Sequence, residues 1–238
     1  LIRVTGAQAQ GYGLTGADWR IVDEISKLEI IGNGAEVIKS LRGDQLQACG
    51  FFDQWVTAPD PWRNNATNTQ RAYFLLNFGR MLHDPLLGLD LSKFKSVEIK
   101  ITNTAVAADF SDLTVSLLGV YSREPGDKKW LGYMRTEEWR SWTTVRNEVR
   151  YFELPTEHLL RRIILQAIPD EDATNVDETT LENVMSDIDL ALETGVIRVY
   201  KGGIDDLIRQ NYYFYKSYQL TGGQAYMNAD RGIRVGLG

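Results

Sequence analysis

Short apolar runs separated by turn residues dominate the chain, and this pattern predicts β-strands. Seven runs stand out, each bounded by clusters of Gly, Asn, Asp or Pro. They are Ile25–Ile31, Ala35–Leu41, Ala72–Phe78, Ser96–Thr102, Leu113–Tyr121, Leu160–Ile168 and Ile188–Val199. Long amphipathic stretches are scarce, so we expect an all-β protein in which helices are accessories.

The alternation of polar and apolar residues indicates how two of these strands are buried. Within Ser96–Thr102 the apolar side chains occupy every second position, which predicts a strand with one buried face. Leu113–Tyr121 starts with the same alternation, but Leu118 and Val120 shift its phase. This shift predicts either a bulge or a strand that is buried on both faces.

Two local signals predict a hairpin and a helix. Gly32-Asn33-Gly34 has the composition of a tight turn with positive φ, so Ile25–Leu41 is expected to be a hairpin. A helical face through Trp19, Val22, Ile25 and Leu28 is the alternative for its first part, but the strand is favoured. Gly203–Gln210 opens with small and acidic residues and predicts a short helix.

The composition argues against several classes of function. The 238 residues include 26 basic and 32 acidic ones, and the formal charge of −6 disfavours a surface that follows nucleic-acid phosphates. The single Cys49 cannot form an intrachain disulfide or a multi-cysteine metal cluster. No apolar run approaches the ~20 residues that cross a bilayer, and no secretory signal is evident, so we expect a protein that is soluble when made.

Two motifs suggest chemistry, but each lacks a feature that the chemistry requires. Gly11-Tyr-Gly-Leu-Thr-Gly16 matches a dinucleotide fingerprint, but strand-like sequence follows it where a helix would be needed, so an arm or a turn is favoured. Asp170, Asp172 and Asn175 resemble the start of a calcium loop that lacks the glycine and glutamate such a loop requires. We therefore expect no cofactor and no metal.

The histidines and the cysteine also lack the partners that catalysis requires. His83 and His158 are 75 residues apart and belong to no metal or acid–base motif. Cys49 lies in the apolar stretch Ala48–Phe52, where a small buried thiol is expected. The sequence thus predicts a protein that is not an enzyme.

Aromatic residues are concentrated in two stretches that are candidates for subunit contacts. The first contains Trp130, Tyr133, Trp139 and Trp142 with arginines between them, a composition typical of interface cores but also of sugar-binding platforms. The second is near the carboxyl end. The residues predicted to contact other subunits are Trp139, Trp142, Tyr212, Tyr213, Phe214, Tyr215 and Tyr218.

The order of these segments resembles the major capsid proteins of tailless, membrane-containing icosahedral viruses. The corticovirus coat protein is the most similar in layout, and tectivirus coat proteins and adenovirus hexon are more distant. Four parts of the chain carry the resemblance. They are the hairpin Ile25–Leu41, the strands and arm in Phe74–Arg80 and Leu89–Ile101, the entry segment Trp139–Ile168, and Ile188–Val199 followed by the helix from Ile204.

The resemblance implies a double jelly roll, with two upright barrels in one chain. The first roll, with an amino-terminal arm, is expected over residues 1–124 and the second over residues 130–238. The Gly-rich Thr221–Gly238 departs from the family, because it is not expected to supply the final strands. Either residues outside this sequence complete the second roll, or the chain has a single roll with large insertions.

The function implied is that of a major capsid protein whose homotrimers are pseudo-hexagonal capsomers. Its expected partners are further copies of itself in the lattice and the minor capsid and vertex proteins, with an internal viral membrane as a candidate. Sequence-specific nucleic-acid binding is not expected. The expected location is the virion capsid, assembled in the host cytoplasm. The alternative is a carbohydrate- or receptor-binding β-sandwich of a viral spike or tail.

Overall fold

The computed structural model describes most of the chain in ten stretches. These are residues 1–8, 21–22, 24–54, 69–81, 84–104, 110–120, 130–166, 185–192, 196–215 and 235–237. The chain forms two compact units, Leu1–Ser141 (unit 1) and Trp142–Gly238 (unit 2). The described residues form eleven strands against two α-helices and one 3₁₀ turn, so the protein is mainly β, as the apolar pattern predicted.

Unit 1 contains two sheets whose central strands are the first and second strands of the chain. The first sheet has the order β4-β1-β6, and the second has the order β5-β2-β3-β7. All pairings in them are antiparallel except that of β3 with β7. The strands are β1 (Ile2–Gln8), β2 (Ile25–Gly32), β3 (Glu36–Leu41), β4 (Thr69–Phe74), β5 (Val97–Asn103), β6 (Phe110–Leu117) and β7 (Thr136–Glu137).

Both sheets contribute to a single hydrophobic core. The core includes Ile2 and Val4 of β1, Phe74 of β4 and Leu28 and Ile30 of β2, all of which are at most 1% exposed. Register places Ile2 opposite Phe74 and Val4 opposite Ala72, so that each pair lies on the same face of its sheet. The alternation predicted for Ser96–Thr102 is only partly reflected in burial, because Val97 and Ile101 pack against the core whereas Ile99 is 43% exposed.

The turn between β2 and β3 has the conformation that its composition predicted. Asn33 and Gly34 have φ values of 52° and 76°, and the backbone N–H of Ala35 donates to the Gly32 carbonyl at 3.1 Å. Positive φ at both central residues gives the twist that a tight hairpin needs. The hairpin over Ile25–Leu41 is thus confirmed, and the alternative helix is not formed at Ile25 or Leu28.

A helix that the sequence analysis missed follows this hairpin. Helix α1 covers Gly43–Gln54, although its residues show almost no amphipathic pattern. Its start is stabilised by Gln45, whose side-chain oxygen accepts a hydrogen bond from the backbone N–H of Arg42 at 2.9 Å. Leu46 and Phe52 are buried, whereas Cys49, for which a buried thiol was predicted, is partly buried and packs against the core.

Three other predicted runs need correction. The run Ala72–Phe78 corresponds to β4, but β4 ends at Phe74 because the chain leaves the sheet before the turn at Gly79. β6 ends at Leu117, and Leu118 and Val120 are exposed outside it, which explains the phase shift without a buried second face. Of the run Leu160–Ile168, which is described as far as residue 166, the strand β8 covers Ile163–Leu165.

Unit 2 has short strands and a small core. Its elements, besides β8, are the hairpin of β9 (Asp187–Leu192) and β10 (Ile197–Gly203), helix α2 (Ile204–Tyr215), and β11 (Val235–Leu237). Thus the apolar run Ile188–Val199 falls on two strands, as its resemblance to a strand, turn and strand implied, and the predicted helix from Ile204 is confirmed. β11 pairs with β8, so the Gly-rich end does contribute a strand, contrary to expectation. Ile204 and Leu207 form the core with four partly buried side chains, Met185, Ile188, Tyr200 and Ile208.

Candidate assembly surface

Residues 130–138, here called the strap, run along unit 1 and cover the free edge of β3. The strap is held by backbone hydrogen bonds from Met134 to the Phe78 carbonyl at 2.7 Å and from Glu138 to the Ser40 carbonyl at 3.1 Å. Strand β7 within it pairs in parallel with Lys39 and Ser40. An exposed strand edge invites pairing with other chains, and the strap prevents this along β3.

Side chains on β3 also hold the strap in place. Lys39 is buried, and its ammonium group donates to Thr136 Oγ1 at 2.9 Å and lies 5.6 Å from the centre of the Phe78 ring. A buried lysine is stable only when its charge has such partners. The strap is therefore bound by specific polar contacts as well as by backbone pairing.

Tyr133 anchors the middle of the strap. Its hydroxyl donates to Glu36 Oε1, and its ring packs against Phe94 with 6.1 Å between ring centres. Desolvation and the hydrogen bond to Glu36 together raise the pKa of Tyr133 to about 12. The phenol is thus a fixed structural donor, and its surroundings oppose its use as a base.

A turn organised by one buried carboxylate lies next to the strap. Asp84 accepts hydrogen bonds from the backbone N–H groups of Arg80, Leu86 and Leu87 at 2.8, 2.9 and 3.2 Å, and from two nitrogens of the Arg80 guanidinium at 2.8 and 2.9 Å. The Arg80 guanidinium and these N–H groups hold the pKa of the Asp84 carboxyl well below its usual range. The turn places Leu87 and Gly88 next to the strap.

The aromatic residues of the first stretch do not form one platform. Trp130 packs so closely on Gly88 that a Cβ there would lie 2.7 Å from its ring. Trp139 is half-buried beside the Arg140 guanidinium, which lies 5.6 Å from its ring centre. Trp142 belongs to unit 2 and packs on Phe152, with 4.7 Å between ring centres. Trp139 and Trp142 thus have separate environments.

Residues 142–162 of unit 2, here called the exposed arm, form no strand or helix and carry many apolar side chains in contact with solvent. Tyr151 is 91% exposed, Val149 74%, and Leu159 fully exposed. Val145 and Leu160 are also mostly exposed. Within the arm, the sequence analysis predicted only Trp142 as a subunit contact and missed the other exposed apolar residues.

Residues of the second aromatic stretch lie on or beyond the end of α2. The structure places the backbone of Tyr212, Tyr213, Phe214 and Tyr215 in the last turn of that helix. Tyr218 lies outside the described residues, as do His83, the Gly11–Gly16 motif and the acidic loop with Asp170. Their predicted roles stay predictions.

The described residues bring together no set of groups typical of a catalytic or metal centre. No cluster of three or more His, Cys, Asp or Glu side chains there could hold a metal ion. His158 is exposed in a bend of the arm. Within the same residues, no helix has the length and apolar character needed to cross a membrane.

Comparison with known proteins gives no match. Neither a family model, nor a curated protein, nor a solved structure is similar to this chain.

Proposed function

We propose that the chain is a shell-forming coat subunit, the major capsid protein of an icosahedral, membrane-containing virus, with a jelly-roll fold. The observation that carries the assembly role is the exposed arm. Tyr151, Val149 and Leu159 lie in solvent on a segment that forms no strand or helix of its own. A large apolar surface on a soluble chain is typical of an interface with other subunits.

The strand order of unit 1 supports the jelly-roll part of the proposal. In an eight-stranded jelly roll with strands lettered B to I in chain order, the sheets have the orders B-I-D-G and C-H-E-F. When β1 to β6 are taken as strands D to I, the observed orders β4-β1-β6 and β5-β2-β3 become G-D-I and H-E-F. All six strands then have the expected neighbours. A fold does not define a function, so this agreement supports the jelly-roll part of the proposal and not the capsid role.

The charge and chemistry of the chain agree with a structural role. Its formal charge of −6 does not favour packaging nucleic acid by direct contact. The two groups of unit 1 with large pKa shifts, Asp84 and Tyr133, have partners within the fold that account for those shifts. They hold a turn and the strap, and neither is arranged as an acid–base pair.

The test is the assembly of variants in which the arm is made polar. Negative-stain microscopy of the purified chain should show capsomers, and the double variant Tyr151→Lys/Leu159→Lys should remain dispersed because charges replace the apolar contacts. Leu91→Lys is the matched control, since Leu91 is also exposed but lies in a 3₁₀ turn of unit 1. It should assemble normally.

Two results would contradict the coat role. One is a parent chain that stays monomeric at micromolar concentration. The other is a double variant that assembles as well as the Leu91→Lys control. Circular dichroism of all three proteins establishes that any difference arises from assembly and not from loss of the strands.

The alternative is a carbohydrate- or receptor-binding module of a spike or tail. A sugar platform uses the open face of an indole ring, whereas Trp130 packs on Gly88 and Trp142 on Phe152. Trp139 is the best remaining candidate. A glycan array that detects specific binding, lost in Trp139→Ala, would favour this alternative over the coat role.

A further inference from the structure

The tight turn between β2 and β3 contains the pair of residues in this chain that is most prone to spontaneous modification. Asn33 is followed by Gly34, and no other asparagine in the sequence precedes a glycine. Asparagine is a thermolabile residue, and glycine, which lacks a side chain, leaves its own backbone nitrogen accessible to the residue before it. Both residues are exposed, so water reaches them. The pair is therefore a candidate for deamidation.

Deamidation at this pair needs only water. The backbone nitrogen of Gly34 gives up its proton to the solvent and forms a bond to Cγ of Asn33. The side-chain nitrogen of Asn33 takes up a proton and leaves as ammonia, so that a cyclic succinimide remains. Water then opens the ring at one of its two carbonyl carbons, which produces either aspartate or isoaspartate at position 33.

The conformation of the turn opposes the first step of this reaction. Asn33 has a φ of 52°, in the left-handed region, where ψ is also positive. In that region the nitrogen of the next residue lies nearly opposite Cβ about the Cα–C bond, far from the side chain, whereas ring closure requires both on the same side. Asn33 must therefore leave the left-handed region before Gly34 can attack it.

The residues just before β5 hold Asn33 in this conformation. The backbone N–H of Lys95 donates to Asn33 Oδ1 at 2.7 Å, and the N–H of Asn33 donates to the Ser96 carbonyl at 2.9 Å. Phe94 packs so closely on Gly32 that an added Cβ there would lie 2.6 Å from its ring. Residues 94–96 thus fix both the side chain and the backbone of the reactive residue.

We propose that Asn33 is a latent deamidation site, which residues 94–96 protect while they are docked on the turn and which reacts when that docking opens. The reaction rate then follows the fraction of molecules in which the turn is open. An aspartate product still has an oxygen that accepts from Lys95. An isoaspartate adds a carbon to the backbone and cannot form the same turn, so it would make the opening permanent. This inference does not depend on the role of the protein in a shell.

Peptide mapping by mass spectrometry tests the proposal at mildly alkaline pH, in the folded protein and in the protein unfolded by denaturant. Deamidation of Asn33 should be at least about tenfold faster in the unfolded protein, because every molecule there has an open turn. Asn147 is the internal control. Its φ of 60° is also positive, but Glu148 follows it, so its peptide should react more slowly than that of Asn33 in denaturant.

Two substitutions of Lys95 separate the hydrogen bond from general stability. Lys95→Pro removes the N–H that binds Asn33, and Phe94 already has the extended conformation that a residue before proline adopts, with φ −113° and ψ 143°. In native buffer this variant should deamidate about fivefold faster than the parent, the effect of losing a typical hydrogen bond. Lys95→Ala keeps the N–H and should match the parent. Circular dichroism checks that both variants retain their strands.

Three outcomes would overturn the proposal. The first is an equal rate at Asn33 in the folded and unfolded parent, a comparison that needs no variant. The second is a Lys95→Pro variant that keeps its strands and reacts as slowly as the parent. If that variant does not fold, Phe94→Ala replaces it, because it loosens the docking on Gly32 and leaves the Lys95 N–H; a folded Phe94→Ala that reacts no faster than the parent counts equally against the proposal. The third is a faster reaction at Asn147 than at Asn33 in denaturant.

Discussion

At the scale of single residues, Asp84 is the group on which the turn beside the strap depends most. Asp84→Asn keeps the shape of the side chain but removes the charge that the Arg80 guanidinium and three backbone N–H groups bind. We expect the variant to unfold at a lower denaturant concentration at pH 7, because charge-assisted hydrogen bonds are lost. Denaturant titration followed by circular dichroism measures the change.

The difference in stability between the parent protein and Asp84→Asn should depend on pH, and the direction of the Asp84 pKa shift determines how. The folded protein lowers the pKa of Asp84, so its stabilising effect is complete above the unfolded pKa of about 3.9 and is lost as the pH falls below that value. The gap in stability between the parent and Asp84→Asn should therefore narrow below about pH 4. The exposed Asp112→Asn serves as control and should show little difference at pH 7. A gap that is constant from pH 7 to pH 3 would contradict the role assigned to the carboxylate.

Gly34 offers a second prediction, about backbone conformation. Its φ of 76° is in the left-handed region, and nothing lies within 4 Å of the position of an added Cβ, so any cost of Gly34→Ala comes from conformation and not from a clash. We expect a loss of about 1 kcal/mol in the free energy of unfolding. Gly50→Ala is a matched control, because Gly50 also has open space but lies within α1. It should be neutral or stabilising by about 0.5–1 kcal/mol. Equal effects of the two substitutions in denaturant titrations would refute this explanation.

At the scale of elements, the β9–β10 hairpin and α2 depend on each other. A two-stranded hairpin is marginally stable alone, and α2 buries Ile204 and Leu207 against Ile188 and Tyr200. Leu207→Ala should lower the free energy of unfolding of unit 2 by about 2–4 kcal/mol through the cavity it leaves. Val199→Ala, at an exposed position of β10, should change it by less than about 0.5 kcal/mol. Hydrogen exchange of the β9 and β10 peptides would reveal the loss, and unchanged exchange in Leu207→Ala would contradict this coupling.

The elements that the sequence predicted are those whose signal is local. The hairpin at Asn33 needs only its turn residues, β5 needs only alternation, and α2 begins with small and acidic residues before Ile204 and Leu207. Helix α1 was missed because its stability comes from burying Leu46 and Phe52 in the core, and its own periodicity is weak. The strap was missed because Lys39 meets Thr136, and Tyr133 meets Glu36, only after the chain has folded.

The sequence predicted which aromatic residues are concentrated near the candidate site, but it did not predict how they are arranged. Aromatic density identified Trp139 and Trp142, but it could not indicate that Trp142 would pack on Phe152 while Tyr151 and Leu159 stayed in solvent. Exposure depends on which surfaces find a partner within the fold, and that is a property of the tertiary structure. The arm is therefore a finding of the structure, and its role in assembly is inferred from exposure.

At the scale of the whole molecule, the two units differ in how completely each one buries its apolar residues. Unit 1 has a core shared by two sheets, with Phe74, Leu28 and Ile38 fully buried. Unit 2 has two fully buried apolar side chains, Ile204 and Leu207, among its described residues, and many exposed ones on the arm and hairpin. If subunits meet as proposed, their association would add to the stability of the chain, because exposed apolar area would be removed from water.

The last prediction is that the protein is a homotrimer that stays together on dilution. If three chains bury their exposed arms and aromatic stretches, the interfaces should exceed ~2,000 Å², as in obligate assemblies. Native mass spectrometry and light scattering over a wide range of concentration should then give the mass of three chains.

Helix α2 provides the variant for this test. Tyr213 lies in the last turn of α2 and is one of the residues predicted to contact other subunits, so Tyr213→Ser should weaken the trimer. Asp205→Asn, at an exposed position of the first turn, is the control and should leave the mass unchanged. A stable monomer at micromolar concentration would contradict the trimer. A trimer that tolerates Tyr213→Ser would exclude Tyr213 from the contact and leave the exposed arm as the surface on which assembly depends.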